Sequence, residues 1–170
     1  DYQILLATPN SSSYPEVLKL GWKEPLHNYI YKICLLFPSK VKKGETLREI
    51  TKSESSSEII PSGEYFQVGN SLEFIQWRYQ DSNYRKVMFK TDREKILYVV
   101  YRIDLVKGMR TVILCSTYGD NSILKRALKR VLAKEKTIFL YFLENPLNRE
   151  FSSVFLLKHR KALIVFKGNN

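Results

Sequence analysis

The sequence predicts an α/β (α+β) fold with one mixed sheet, and two observations carry the prediction. Three strand-like runs, at 86–91, 95–104 and 110–117, follow one another through connections too short for a crossover helix, which predicts an antiparallel meander. A helix at 121–134 then leads to a buried strand at 137–143, and a helical connection of this kind makes the two strands it joins parallel. The sheet should therefore change from antiparallel to parallel at 110–117.

The helix at 121–134 has the clearest periodicity in the chain. Its apolar residues form one stripe, made of Ile123, Leu124, Ala127, Leu128, Val131 and Leu132. Its basic residues cover the opposite face, namely Lys125, Arg126, Lys129, Arg130 and Lys134. The pattern predicts a helix that packs on the sheet through the first set and presents the second set to solvent.

The first part of the chain predicts a strand at 2–8, a Pro-Asn turn, a short helix that ends near Gly21, and a second strand at 28–37. Residues 38–63 are rich in Lys, Ser and Glu and are interpreted as a linker or a surface loop. Thirty-seven residues without disulfides rarely hold a core alone, so residues 1–37 should pack on the sheet of residues 64–170 or extend it.

Three further elements complete the prediction. A two-turn helix is expected at 70–77, with Trp77 filling the core and Arg78 pointing to solvent or pairing with an acidic neighbour. Near the end of the chain, residues 148–157 predict a helix and residues 161–166 a last strand.

Composition excludes several classes of function. Apolar residues make up 44% of the 170 residues, which is enough to build a core. Cys34 and Cys115 stand alone in apolar runs and His27 and His159 are isolated, so neither a disulfide framework nor a metal site is expected. No run approaches the ~20 apolar residues of a membrane span, and no signal peptide opens the chain, so a cytoplasmic location is expected.

The formal charge of +11 makes the surface attractive to anions in general. The basic face of the helix at 121–134 could follow a polyanion, and a solvated amphipathic helix accounts for the same pattern. Nucleic acid is thus an open but not a favoured partner.

Two local sequences resemble the GNAT superfamily of N-acetyltransferases, whose order of elements the chain also follows. In residues 9–23, an Asn after a strand leads into a helix closed by a Leu-Gly-Trp step, which looks like the end of a GNAT fold. In residues 73–79, a Trp-Arg-Tyr segment resembles the start of the second half in tandem GNAT-like proteins. The resemblance implies that residues 1–37 are the tail of a first half, and that 64–170 form a reduced second half.

The resemblance also implies a site. In the family, a Gly-rich turn before the central helix holds the pyrophosphate of acetyl-CoA or another acyl-CoA, and here residues 116–122 correspond to it with Gly119, Asn121 and Ser122. Asp120 would repel phosphates, and the alternative is a plain turn and N-cap. Asn10 corresponds to a pantetheine-binding Asn and is equally typical of a turn.

The family transfers an acyl group to an amine, which needs an acid for the leaving thiolate and a base for the amine. Tyr118 and Tyr141 are candidates for the acid, and Glu144 for the base. All three also suit structural positions, as core or rim aromatics and as a carboxylate at a strand end.

The functional hypothesis is an acyl-CoA-dependent N-acyltransferase in which this chain is a non-catalytic or substrate-side half. The alternative hypothesis is a non-catalytic basic module that binds nucleic acid or another polyanion.

Overall fold

A computed structural model describes residues 4–7, 9–24, 30–39, 43–51, 71–143, 156–161 and 165–168, and the structural statements below concern these residues. The strands are β1 (Ile4–Ala7), β2 (Ile30–Leu35), β3 (Thr46–Glu49), β4 (Arg85–Lys90), β5 (Ile96–Val106), β6 (Met109–Gly119), β7 (Phe139–Leu143), β8 (Leu156–Lys161) and β9 (Val165–Gly168). The helices are α1 (Tyr14–Lys19), α2 (Leu72–Arg78) and α3 (Leu124–Lys134), and a 3₁₀ turn (Asn121–Ile123) precedes α3.

Seven strands form one sheet in the order β3-β4-β5-β6-β7-β2-β8, while β1 and β9 pair with each other in a separate two-stranded sheet. Strand β7 runs parallel to β6, and every other pair in the large sheet is antiparallel. The predicted mixed α/β sheet, with its change of direction at the strand before the central helix, is confirmed.

The two faces of the large sheet carry different helices. The apolar stripe of α3, together with side chains such as Phe89, Tyr101 and Phe142, builds the main core on one face. On the opposite face, Ile75 and Tyr79 of α2 pack on Val100 and Tyr118 in a smaller core. The helix at 121–134 therefore buries the predicted stripe, and burial of apolar surface accounts for its position.

Two buried carboxylates hold the polar parts of α3. Glu135, just after the helix, is only 2% exposed at its side chain and accepts hydrogen bonds from Arg85, Arg110 and Tyr101. Glu45 accepts from the guanidinium groups of Arg126 and Arg130. Arg130 was expected to face solvent and is instead buried with this carboxylate. An unpaired buried charge is costly, so both carboxylates hold the helix in place. Glu135 connects the end of the helix to β4, β5 and β6, and Glu45 connects the helix to the segment before β3.

Some sequence predictions were wrong in detail. Within the predicted linker or loop at 38–63, residues 46–49 form β3 on the edge of the sheet. The four residues are mostly polar, so their strand conformation depends on pairing with β4 rather than on a local apolar pattern. Residues 40–42 and 52–63 of that segment lie outside the described residues.

Near the end of the chain, β8 begins at residue 156, inside the predicted helix at 148–157, whose earlier residues lie outside the described ones. The predicted single last strand at 161–166 is replaced by β8 and β9, which belong to different sheets. Strand β8 forms by pairing with β2, and β9 forms by pairing with β1. A local sequence pattern does not reveal pairing between segments so far apart in the chain.

Trp77 was expected in the core and is instead 65% exposed. On α2 the buried positions are Leu72 and Ile75, and the ring of Trp77 lies against that of Phe74, with centroids 5.7 Å apart. Arg78 lies over the ring of Tyr79, at 5.7 Å from its centroid, which is the geometry of a cation–π contact.

The first part of the chain contributes an interior strand to the large sheet. Strand β2 lies between β7 and β8, and Ile33, Cys34 and Leu36 are buried. The expectation that residues 1–37 extend the sheet agrees with this position. Their assignment to a separate GNAT-like half stays a prediction.

We predict that deletion of residues 1–37 causes aggregation, because it removes β2 and leaves two strand edges and an apolar face uncovered. Deletion of residues 1–24 is the matched control, since it keeps β2 and removes only β1 and α1. Size-exclusion chromatography and thermal unfolding measure both. A soluble, cooperatively unfolding chain that begins at residue 38 would contradict the prediction.

Candidate functional site

Strands β6 and β7 are paired only at the beginning. Their parallel register joins Thr111, Val112 and Ile113 to Phe139, Leu140 and Tyr141, in that order. The next two residues of each strand are described, yet they do not continue this register, whereas β6 pairs with β5 from end to end. Residues 113–117 are only half buried although β6 is an interior strand. The two strands therefore part after three residue pairs, and we call the space between their remaining residues the opening.

A β-bulge lies where the pairing with β7 ends. Val100 of β5 is opposite Ser116, whereas Tyr101 is opposite Leu114, so Cys115 is the extra residue. A bulge increases the local twist of a strand and redirects its side chains, which promotes separation from a neighbour on one side. Burial raises the pKa of the Cys115 thiol, which keeps it protonated at neutral pH.

The turn above the opening begins at Gly119, which has φ of +108°. A Cβ atom there would lie 2.5 Å from the carbonyl oxygen of Ile96 on β5, and the next N–H, of Asp120, donates to that same oxygen at 2.9 Å. Glycine is thus needed for close approach of two backbones of this chain. This contact explains why residue 119 is a glycine, and a bound ligand is not needed to explain it.

Asp120 caps the 3₁₀ turn that leads into α3. Its Oδ1 accepts from the backbone N–H of Ser122 at 2.8 Å, and its Oδ2 lies 2.9 Å from Nζ of Lys95. Lys95 also donates to Oγ of Ser122 at 2.8 Å. Hydrogen bonding from the Ser122 side chain, followed by that from Lys95, lowers the pKa of Asp120, so the turn already holds an anion at neutral pH.

The residues of this turn do not fit a pyrophosphate. A phosphate would have to displace the Asp120 carboxylate from the N–H that it caps, or approach it against charge repulsion. Asn121 also has a partner within the chain, since its Oδ1 accepts from Oγ1 of Thr117 at 3.1 Å. The geometry favours the interpretation of 119–122 as a turn and N-cap.

Asn10 has a similar local arrangement ahead of α1. Its Oδ1 accepts from the backbone N–H groups of Ser12 and Ser13, at 3.0 and 2.8 Å. These bonds are typical of an Asx turn, which is the alternative that the sequence left open.

Tyr118 and Tyr141 lie far apart. Tyr118 is buried beneath α2, and burial raises the pKa of its hydroxyl to about 12. Tyr141 is opposite Ile113, five residues earlier on β6, which corresponds to roughly 16 Å along a strand. Its ring stacks on Tyr31 of β2, with centroids 5.3 Å apart. Glu144 lies outside the described residues.

A polar cavity on the α2 face was not predicted from the sequence. It has a volume of about 610 Å³ and is lined by Gln76, Gln80, Asp81, Ser82 and Lys86. These residues come from the end of α2, the following turn and β4, and no motif links them. Only the folded chain brings them together.

Lys86 connects this cavity to the rest of the sheet. Its side chain is buried and its Nζ donates to the carbonyl oxygen of Tyr79 at 2.5 Å, just after α2. Lys86 is opposite Val100, which is in turn opposite Ser116 beside the bulge. Two strand spacings, about 10 Å, therefore separate the floor of the cavity from the bulge on β6.

Most of the basic face of α3 is paired. Arg126 and Arg130 bind Glu45, and Lys134 binds Glu49, four residues later on the chain than Glu45. Among the described residues, Lys125 and Lys129 alone of the five predicted cations lack an ion pair. The face is thus largely neutralised by β3 and the residue before it.

Two further observations concern what the described part of the chain contains. It has no group of three or more His, Cys, Asp or Glu side chains that could hold a metal ion. Across the same residues, no helix is long and apolar enough to cross a membrane.

Comparison with known proteins shows the fold alone. No family model matches the chain, and no curated protein matches its sequence. Among solved structures, the chain is similar to a conserved protein of unknown function from Enterococcus faecalis V583, described as a probable N-acyltransferase. The TM-score is 0.56 at 11% identity, and the match covers 98% of this chain but 44% of the other. The chain thus shares a mixed α/β fold with that neighbour and spans less than half of its length.

We predict that Gly119→Ala lowers the free energy of unfolding by about 2 to 4 kcal/mol, because a Cβ would meet the Ile96 carbonyl and the positive φ would be strained. Gly108→Ala is the matched control: its φ is +78° with nothing within 4 Å, so strain alone should cost about 1 kcal/mol. Urea unfolding measures both. Equal losses would show that the close approach is unimportant.

The raised pKa of Tyr118 predicts a pH-dependent stability. The raised value favours the protonated hydroxyl in the folded state, so its contribution is complete below pH 10 and is lost as the pH rises toward 12. Between pH 9 and 12, the wild type should lose up to about 2 kcal/mol more than Tyr118→Phe. Parallel pH curves from denaturant unfolding would show that this hydroxyl titrates normally.

Proposed function

We propose that this chain is the substrate-side half of a GNAT-like, acyl-CoA-dependent N-acyltransferase. The observation that carries the proposal is the parting of β6 and β7 after three residue pairs, beside a bulge at Cys115. Open space between the carboxyl ends of two interior strands is where an α/β sheet can receive a ligand. The similarity in fold to a protein described as a probable N-acyltransferase supports the same class of reaction.

In this proposal the acyl donor, acyl-CoA, is not bound by the turn at 119–122. The turn at 119–122 contains its own carboxylate, and Lys95, the cation best placed for a phosphate, is paired with it. The acyl-CoA would accordingly be bound by a second half of the same polypeptide. This chain would supply the opening in the sheet and the surface that receives the amine.

The alternative, a basic module for nucleic acid or another polyanion, has less support. Its main candidate surface was the basic face of α3, and three cations of that face bind Glu45 and Glu49. A polyanion would have to compete with these carboxylates, one of which is buried.

We predict that the 170-residue chain alone shows no saturable binding of acetyl-CoA at near-physiological salt. The charge of +11 should still attract CoA at low salt, and this loose association should fade as screening increases. Calorimetric titration at two ionic strengths separates the two cases. Micromolar binding at high salt that Lys95→Met abolishes would contradict the prediction and identify the turn as a cofactor site.

Thermal unfolding tests the proposed function itself. The full product of the gene should unfold at a higher temperature with acetyl-CoA present, because a ligand that binds the folded state stabilises it, whereas the chain alone should not respond. An amine-acetylation assay on the full product is the second readout. No shift and no acetylation of any amine would refute an acyl-CoA-dependent function.

A further inference from the structure

The polar cavity beside α2 has a lining suited to hydroxyl groups. Gln76 and Gln80 contribute planar amides, Ser82 a hydroxyl, and Asp81 a carboxylate. The amide nitrogen of Gln76 also donates to the carbonyl oxygen of Thr51 at 2.7 Å. Amides and hydroxyls can each donate and accept, and a carboxylate accepts strongly, so the set matches a ligand that carries several donors and acceptors in a ring. Each of the described residues that line the cavity has a polar or charged side chain.

An exposed tryptophan stands beside this lining. Trp77 follows Gln76 directly, lies about one helical turn before Gln80, and leaves 65% of its surface in contact with solvent. Its ring is supported on one side by Phe74, so it is held at a defined position at low entropic cost. A large exposed aromatic next to a polar cavity is an informative exception to burial.

The cavity carries one charge of each sign. Asp81 accepts the N–H of Asn83 through Oδ1 at 2.8 Å, and this bond orients its carboxylate in the turn after α2. Lys86, buried at the floor, donates to the helix end at Tyr79. A ligand with one amino group could pair with the exposed carboxylate of Asp81, which accepts strongly from a charged donor.

We propose that this cavity is a saccharide-binding site, in which Trp77 stacks on the apolar face of a sugar ring and the cavity side chains bind its hydroxyls. The amine of an amino sugar pairs with Asp81. Lys86, one of the residues that line the cavity, lies two strand spacings, about 10 Å, from the bulge on β6. That the amino sugar is the acyl acceptor rests on the function proposed above, whereas its binding does not.

Glucosamine titrated into the 170-residue chain without any acyl-CoA is the test, followed by nuclear magnetic resonance or calorimetry. Trp77→Ala should weaken binding about 3- to 10-fold, because it removes one stacking contact. Asp81→Asn should weaken it about tenfold or more, because a charge-assisted bond is lost while the amide oxygen can still accept from Asn83.

Two matched variants control for general effects. Phe37→Ala also removes an exposed aromatic side chain, since Phe37 is 62% exposed. Phe37 follows β2, which is separated from β4 and the cavity by three strands of the sheet. Asp104→Asn also changes an exposed aspartate that accepts a nearby backbone N–H. Both should leave glucosamine binding unchanged. Thermal unfolding of all four variants checks that the fold is intact.

The outcomes separate the site from the reaction. Binding that responds to Trp77 and Asp81, without acetyl transfer to glucosamine by the full gene product, would keep the saccharide site and remove its part as acceptor. No saturable binding, or binding that the four variants affect equally, would overturn the site even if other amines are acetylated. A glucosamine tetramer that binds more tightly than the monomer would identify a polymer as the source of the sugar.

Discussion

Helix α3 connects β6 to β7, and its buried stripe forces β7 to lie parallel to β6 on the same sheet. The parallel register of the two strands covers three residue pairs, at the beginning of each strand. The helix is held by its apolar face and also by Glu45 at its side and Glu135 at its end. Both carboxylates are buried and each binds two arginines, so movement of α3 would leave charges unpaired. The opening between the strands depends on this arrangement.

The turn before the same helix makes its polar contacts within the chain. The N-terminus of the turn before α3 favours an anion, and in this chain Asp120 supplies that anion and Lys95 balances it. The backbone approach at Gly119 is likewise used within the chain, against Ile96. The fold thus keeps the opening while its own residues take the contacts that a phosphate would need. A donor held by another half and an acceptor held by this one are consistent with that division.

The two faces of the sheet are used differently. The α3 face is a closed core, in which the cations of the helix serve to fasten β3 and the residue before it. The α2 face has a smaller core of Ile75, Tyr79, Val100 and Tyr118, with a polar cavity and an exposed Trp77 at its margin. A short helix buries few apolar positions, so its remaining sides stay available to a ligand. The positive charge of the chain as a whole says little about either face.

Local periodicity determined the helix at 121–134, the meander before it and the parallel strand after it, because these contacts involve residues close in sequence. It also placed Asp120 and Ser122 at an N-cap, since capping is a local interaction. Tertiary structure alone decided the strand at 46–49, the insertion of β2 beside β7, and the exposure of Trp77. It alone gathered the cavity residues from α2, its turn and β4. These features depend on pairing and packing between distant segments, and such long-range partners leave no periodic signal in a single sequence.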